Sequence, residues 1–278
     1  MAFVGIAAAG WLYFENNIPT VSHYYIKKGL RRPVRLLQIS DLHGKSFSRN
    51  QKRLIQAVAQ NKPDLIVITG DSVNSSGRGL YGAECLVARA CLIAPVVMIA
   101  GNHEQRSGHC DDYLNRFSQL GAVTLKNEFH RICLNDIEIN FLGLCEQQSL
   151  STKDYFQAIT KTMHYTDNRH LLTKLEQMNG LRILLSHFPE NFAMIDHLSY
   201  NQFEFDLMLS GHLHGGQWRI PPQNQAVFST GQGFFPKYSQ GHHRSCNGSS
   251  LIVSRGLGNG RLLPRVNNRP EIVVVDFV

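Results

Sequence analysis

Five largely apolar runs, at residues 34–40, 65–69, 96–100, 182–186 and 206–210, each break off just before a residue able to bind a cation. Short runs of this kind, rich in Val, Ile and Leu, predict strands buried on both faces. The stretches between them read differently. Ser48 and Gln51 predict a capping box that opens a helix over 48–60, with Pro63 blocking its continuation. Leu86, Val87, Ala90 and Cys91 fall at helical spacing and predict the core face of a helix over 80–92. A third helix starts near 111 and is terminated by Gly121; a fourth runs from 167 to Gly180. Residues 123–125, 129–134 and 137–142 read as short antiparallel strands, with Asn135-Asp136 as a hairpin turn. Two more strands are expected at 250–254 and 272–277. Alternating strands and helices predict an α/β fold. Residues 146–166 show no period and read as a cap over a site or an exposed insertion.

The first fourteen residues, MAFVGIAAAGWLYF, carry no charged side chain. A bilayer span needs about 20 apolar residues, so this segment is too short to cross one. It also lacks the basic leader of a secretory signal. A membrane-contacting segment is expected, with an arm packed on the domain as the alternative. Trp11 and Tyr13 suit a membrane interface, and Lys27, Lys28, Arg31, Arg32 and Arg35 follow. By the positive-inside tendency the domain would face the cytoplasm, with a soluble cytoplasmic protein as second choice. Residues 15–33 read as a connecting arm. No linker divides the rest, so the expected organisation is an N-terminal apolar segment and arm, 1–33, and one domain, 34–278.

Charge narrows the partners. Lys and Arg number 28 against 21 Asp and Glu, for a net charge of +7. That favours anionic partners such as phosphorylated substrates or an anionic membrane surface. No helix-turn-helix, RNP-like motif or basic–aromatic stripe occurs, so nucleic acid ranks lower, and no protein partner is expected. The six cysteines include no CxxC pair, which argues against a zinc knuckle or a disulfide scaffold. Cys85, Cys91 and Cys133 read as small core residues, and the count favours a reducing compartment.

The strand ends carry the chemistry. Asp41-Leu42-His43 follows the first run; residues two apart in extended chain share a side, about 6.6 Å apart. Gly70-Asp71 follows the second run, Gly101-Asn102-His103-Glu104 the third, His187 the fourth, and Gly211-His212-Leu213-His214 the fifth. Ligand sites of α/β sheets form at this carboxyl edge. Imidazole mixed with carboxyl oxygen suits first-row divalent ions: manganese first, then iron, zinc or cobalt. The eight candidates Asp41, His43, Asp71, Asn102, His103, His187, His212 and His214 are too many for one tetrahedral ion. They suit two ions sharing a bridging carboxylate.

In this order, these motifs resemble the calcineurin-like metallophosphoesterase family, from about residue 34 to the C-terminus. Gly211-His212-Leu213-His214-Gly215-Gly216-Gln217 and Arg255-Gly256-Leu257-Gly258 further resemble a bacterial subgroup of membrane-associated phosphodiesterases and UDP-2,3-diacylglucosamine pyrophosphatases. The resemblance implies a four-layer α/β/β/α sandwich with two mixed β-sheets. It implies that Asp41, His43, Asp71 and His214 hold one divalent ion and Asp71, Asn102, His187 and His212 the other. His103 would stabilise the transition state or protonate the leaving oxygen. Residues 72 and 74 are Ser and Asn, where many relatives carry an apolar residue and Asp. The expected reaction is hydrolysis of a phosphodiester or pyrophosphate, with a metal-bridging hydroxide attacking phosphorus. Arg106, Arg255, Arg261 and Arg265 are candidates to grip a second phosphate. The apolar segment and basic flank favour a membrane lipid or nucleotide-linked lipid as substrate. The alternatives are a soluble phosphodiesterase of broad specificity, acting on cyclic nucleotides or nucleic acid, and a non-catalytic scaffold with this fold.

Overall fold

A computed structural model describes residues 2–146, 166–229, 231–259 and 264–278. Two six-stranded mixed sheets stack face to face and helices cover both outer surfaces. In chain order the first elements are α1 (Ala2–Asn17), β1 (Thr20–Ile26), β2 (Val34–Ile39), α2 (Lys52–Gln60), β3 (Leu65–Thr69), α3 (Leu80–Ala90) and β4 (Val96–Ile99). Then come α4 (Asn102–Arg106), α5 (Cys110–Gln119), β5 (Val123–Leu125), β6 (Glu128–Leu134), β7 (Ile137–Gly143), α6 (Arg169–Glu176), β8 (Leu181–Leu185) and β9 (Leu207–Ser210). Two small hairpins follow: β10 (Arg219–Ile220) with β11 (Gln225–Ala226), and β12 (Phe228–Ser229) with β13 (Gly233–Phe234). The chain closes with β14 (Gly241–Arg244), β15 (Ser250–Val253) and β16 (Glu271–Phe277).

The first sheet runs β1-β16-β2-β3-β4-β5 and the second β14-β15-β9-β8-β7-β6. Side chains alternate along each strand, so one set of each sheet enters the central layer and the other meets helices. Leu36, Val67, Ile99 and Val275 pack against Phe141, Ile183, Leu209 and Ile252 between the sheets. Leu37, Ile66, Ile68 and Val274 meet Leu54, Val58, Leu86 and Phe117 of α2, α3 and α5. Leu142, Leu184 and Met208 meet Leu172 and Leu175 of α6. Strands covered on both faces have no polar side, which is why they read as unbroken apolar runs. Gln38 of β2 is polar yet fully buried; its Nε2 donates to Thr69 Oγ1 and to the Ser210 carbonyl, each at 2.9 Å, and so ties the sheets together beneath the site.

The structure departs from the pattern reading in several places. The arm expected over 15–33 contains β1, which pairs in parallel with β16 from Thr20↔Glu271 to Ile26↔Phe277. Its half-polar sequence carries no buried-strand signature, and its partner lies at the far end of the chain. The helix over 48–60 starts only at Lys52, because Asn50 and Gln51 are left-handed at φ 53° and 58°. Gln51 does reach back, but to the Phe47 N–H at 2.9 Å. β5 is not antiparallel: it joins β4 in parallel, while β6 and β7 form the expected hairpin. Asn135 and Asp136 both have positive φ, 53° and 64°, as its tight turn needs. Cys133 is exposed, and Cys85 and Cys91 are only partly buried, so none is a fully buried core residue. Most of the unperiodic stretch 146–166 lies outside the described residues. Among the described residues no helix is long and apolar enough to cross a membrane.

Candidate metal centre

Register places the carboxyl ends of β2, β3, β4, β8 and β9 on one edge of the molecule. The chain turns sharply after β2, β3 and β9. Asp41, His43, Asp71, His212 and His214 all have positive φ, between 48° and 73°. Such left-handed non-glycine residues are costly and gather where surrounding structure enforces them. Three glycines before the ligands, Gly70, Gly101 and Gly211, answer to crowding. A Cβ on Gly70 would lie 2.5 Å from Gly101 N and 2.8 Å from His187 Nδ1; one on Gly211 would overlap Ser40 and Asp41.

The turns gather the ligand side chains into three overlapping groups: Asp41, His43 and His214; His43, Asp71 and His103; and Asp71, His187 and His212. Asp71 Oδ2 is the hinge, 3.4 Å from His43 Nε2 and 3.3 Å from His187 Nε2. Asp41 Oδ1 lies 3.9 Å from both His43 Nε2 and His214 Nε2. The Asn102 oxygen stands 3.2 Å from His187 Nε2 and 2.8 Å from His212 Nδ1.

The remaining ring nitrogens show which atoms are offered to a cation. His187 Nδ1 donates to the Thr69 carbonyl at 2.7 Å, His214 Nδ1 to the Gly258 carbonyl at 3.3 Å, and His43 Nδ1 to Asn74 Oδ1 at 3.2 Å. In the neutral rings every Nε2 then carries a lone pair, the arrangement of metal-binding imidazoles. His43 Nε2 is buried with no hydrogen-bond partner. The Asn102 amide could turn over and donate from nitrogen to both neighbouring rings. In its present orientation the amide oxygen and the two imidazole nitrogens face one another beside the Asp71 carboxylate, an arrangement that a cation between them satisfies. The donor set therefore fits divalent ions.

Electrostatics agree. Burial pushes His43 down to about 4, and His212 and His214 well below the usual imidazole range, so these rings are neutral. Burial lifts Asp41 to about 6, with His187 pulling against it. Burial also opposes ionisation of Asp71, but His187, His43 and His103 outweigh it and hold that carboxyl well below its ordinary value. Burial would depress His187; the Asp71 charge wins and raises it to about 10. A proton there answers the same negative field that draws a cation.

Residues 34–216, all five strand ends among them, match the calcineurin-like phosphoesterase family. The chain belongs to that family. This phosphoesterase is therefore a metal-dependent phosphoester hydrolase, and its two-sheet α/β sandwich is the metallophosphatase fold. It is 25% identical over 270 residues to the uncharacterized metallophosphoesterase YkuE of Bacillus subtilis, covering 94% of this chain and 86% of that one. It is 25% identical over 255 residues to the phosphodiesterase YaeI of Escherichia coli, covering 88% and 83%. The crystal structure of TT1561 of Thermus thermophilus shares the fold with TM-score 0.51 at 10% identity, over 81% of this chain and 91% of that one.

The candidate arginines do not share one fate. Arg106 is exposed at the rim of the phosphoesterase site, its Nη1 3.2 Å from the Asn102 amide. Arg255 pairs through Nη2 with Glu271 Oε1 at 3.1 Å, and its side chain is turned inward. Arg265 is 0% exposed and spends its guanidinium on the carbonyls of Arg255, Gly256, Gly258 and Asn268. Neither Arg255 nor Arg265 is placed to grip a phosphate: turns in the tail left carbonyls without partners, and a buried guanidinium has donors enough to satisfy them. Arg261 lies outside the described residues.

Some working residues gave weaker signals. Asn74 donates to the His43 carbonyl at 2.7 Å while its oxygen orients the ring. Glu104 is buried, and its oxygens accept from the N–H groups of Asp71, Gly101 and Val73 at 2.9, 2.8 and 2.8 Å. It clamps two ligand loops together, and a Glu three residues after a strand-end Gly was the available cue. His103 Nδ1 accepts from the Ser75 N–H at 3.2 Å, which puts the neutral ring's proton on Nε2.

Proposed function

We propose that this phosphoesterase hydrolyses a phosphodiester or pyrophosphate bond at a pair of divalent cations, with manganese as the preferred metal. Asp41, His43, Asp71 and His214 would hold one ion, and Asp71, Asn102, His187 and His212 the other. The observation that carries this reading is the membership of Asp71 in two donor groups, with His43 on one side and His187 on the other. When bound, such ions neutralise phosphoryl oxygens and acidify water.

The chain's own residues supply the rest. Asp71 Oδ1 accepts from the His103 N–H at 2.7 Å, so the bridging carboxylate also fixes the start of α4. The His103 ring packs edge-on against His43 at 4.5 Å between centroids. With its proton on Nε2, it would donate a hydrogen bond to the departing oxygen and stabilise the charge that develops there. Arg106 would contact a phosphate oxygen at the rim.

A lipid-linked substrate is the favoured class. Trp11, Tyr13 and Phe14 of α1 are 43%, 61% and 47% exposed. Thr20, just beyond α1, sits at the same strand edge as Asp41, so a bilayer touching these rings would lie on the side where the site opens. The basic flank lends less support. Residues 27–32 lie at the other end of β1, about 20 Å away. Lys28 pairs there with Asp206, and Arg35 with Asp276 at 2.7 Å.

The test is a substrate panel on the manganese-loaded protein, with and without chelator: a UDP-linked acylated sugar, cyclic nucleotides and single-stranded DNA. Chelator-sensitive preference for the acylated substrate supports the proposal. Equal rates on all esters would favour a soluble phosphodiesterase of broad specificity, and no turnover a scaffold. Sedimentation with anionic vesicles, with and without residues 2–14, tests membrane contact.

A further inference from the structure

We propose that Asn16, at the C-terminal end of α1, is a positioning residue for the His214-bearing cation set, acting through Arg265 and Gly258. The inference rests on the two-cation reading above. It also goes beyond the family match, which spans 34–216 and includes none of these three residues.

Asn16 sits at a helix end yet is only 6% exposed. Its amide is fully used. Oδ1 accepts from Arg265 N at 2.8 Å and Asn259 Nδ2 at 2.9 Å; Nδ2 donates to the carbonyls of Arg265 at 3.2 Å and Leu12 at 2.8 Å. Its backbone carbonyl accepts from Lys45 Nζ, which also donates to Asn259 Oδ1 at 2.8 Å. Glu15 adds a second grip, its Oε2 accepting from Asn268 N at 3.1 Å.

The segment so held reaches the ligand in two ways. Arg265 donates from Nε and Nη2 to the Gly258 carbonyl, at 3.0 and 2.5 Å, and that carbonyl accepts from His214 Nδ1. Asn268 Nδ2 donates to the His214 backbone carbonyl at 2.7 Å. Gly258 N donates to the Asp41 carbonyl at 2.6 Å, so the segment also touches the second ligand of this set. The space allows little slack: a Cβ on Gly256 would lie 2.7 Å from the Asp41 Cβ. The direction of His214 Nε2 depends on the bond at Nδ1. That bond in turn depends on a carbonyl held by Arg265. Without Asn16, the Arg265 N–H and carbonyl lose their partners in a buried place, and the segment shifts to recover them.

The experiment uses the full chain and manganese. Outer partners of metal ligands change affinity by roughly tenfold to a hundredfold, and Asn16 lies further out. Calorimetric titration of Asn16→Ala should therefore show about a tenfold loss at one site, with the other unchanged. Asn17→Ala, whose side chain donates to the Tyr13 carbonyl at 2.9 Å, should leave both sites unchanged. Affinity coupling is reciprocal, so manganese should slow amide hydrogen exchange in residues 9–17 of the unaltered protein. This second measurement needs no variant and stands even if Asn16→Ala fails to fold. A variant isotherm identical to the parent's, an equal loss at both sites, or exchange insensitive to manganese would each overturn the proposal. Binding of a single ion by the parent would refute the two-cation reading alone; the link would then be judged by whether Asn16→Ala weakens that one site.

Discussion

His187 Nε2 stands 3.3 Å from Asp71 Oδ2 while its Nδ1 is committed to the Thr69 carbonyl at 2.7 Å. The ring can neither swing away nor turn over without losing a buried hydrogen bond, so its one available nitrogen stays aimed at the shared carboxylate. Asp71→Ala removes that carboxylate from two donor groups. Bound manganese, counted by elemental analysis, should fall from two ions per chain to one or none. Hydrolysis of bis-p-nitrophenyl phosphate should drop more than about a hundredfold. Unchanged metal content would refute a bridging role.

His103→Ala separates stabilisation of the leaving oxygen from metal binding. Loss of a donor aimed at developing negative charge typically costs about a hundredfold to a thousandfold in kcat. The loss should be large for an alkyl leaving group and small for p-nitrophenolate, which departs without a proton. Manganese content should stay at its parental level. Equal losses on both esters would show that His103 does not act on the leaving oxygen.

Glu104→Ala leaves the N–H groups of Asp71, Val73 and Gly101 without their carboxylate. Unpaired buried donors cost about 1 to 3 kcal/mol each, so the metal-free protein should lose about 3 kcal/mol or more. For a chain of this length that is a fall of roughly 6 to 12 °C in Tm. Manganese binding should weaken as well, because the Asp71 and Asn102 loops lose their clamp. A thermal midpoint within a degree of the parent would contradict this.

Glu190 gives stability a pH dependence. Burial raises its carboxyl from 4.5 to about 7, and its Oε1 accepts from Gln232 Nε2 at 3.1 Å. An acid raised on folding holds its proton longer in the native state. The stabilisation is complete below the unfolded value of 4.5 and is lost as pH rises toward the folded value near 7, then stays flat. Relative to Glu190→Gln, the parent should lose on the order of 3 kcal/mol across that window. Denaturant unfolding of both proteins without metal, at several pH values, measures the difference. A pH-independent difference would show that Glu190 titrates normally.

The local sequence determined the strand ends. An apolar run covered on both faces has a short-range signature. So does the abrupt stop at Gly-Asp, Gly-Asn-His or Gly-His-Leu-His, because crowding at Gly70 and Gly211 excludes any larger side chain. Those signals were enough to single out the eight candidate residues, which the fold brings to one edge. Tertiary structure decided the rest. Nothing near Thr20–Ile26 announces a strand whose partner is β16, and nothing near Arg265 announces that its charge is spent on backbone carbonyls. Asn16 and Arg265 are 249 residues apart in sequence and 2.8 Å apart in space. A hydrogen bond between buried groups is set by where each of them has no water to turn to, and that exists only once the chain has folded.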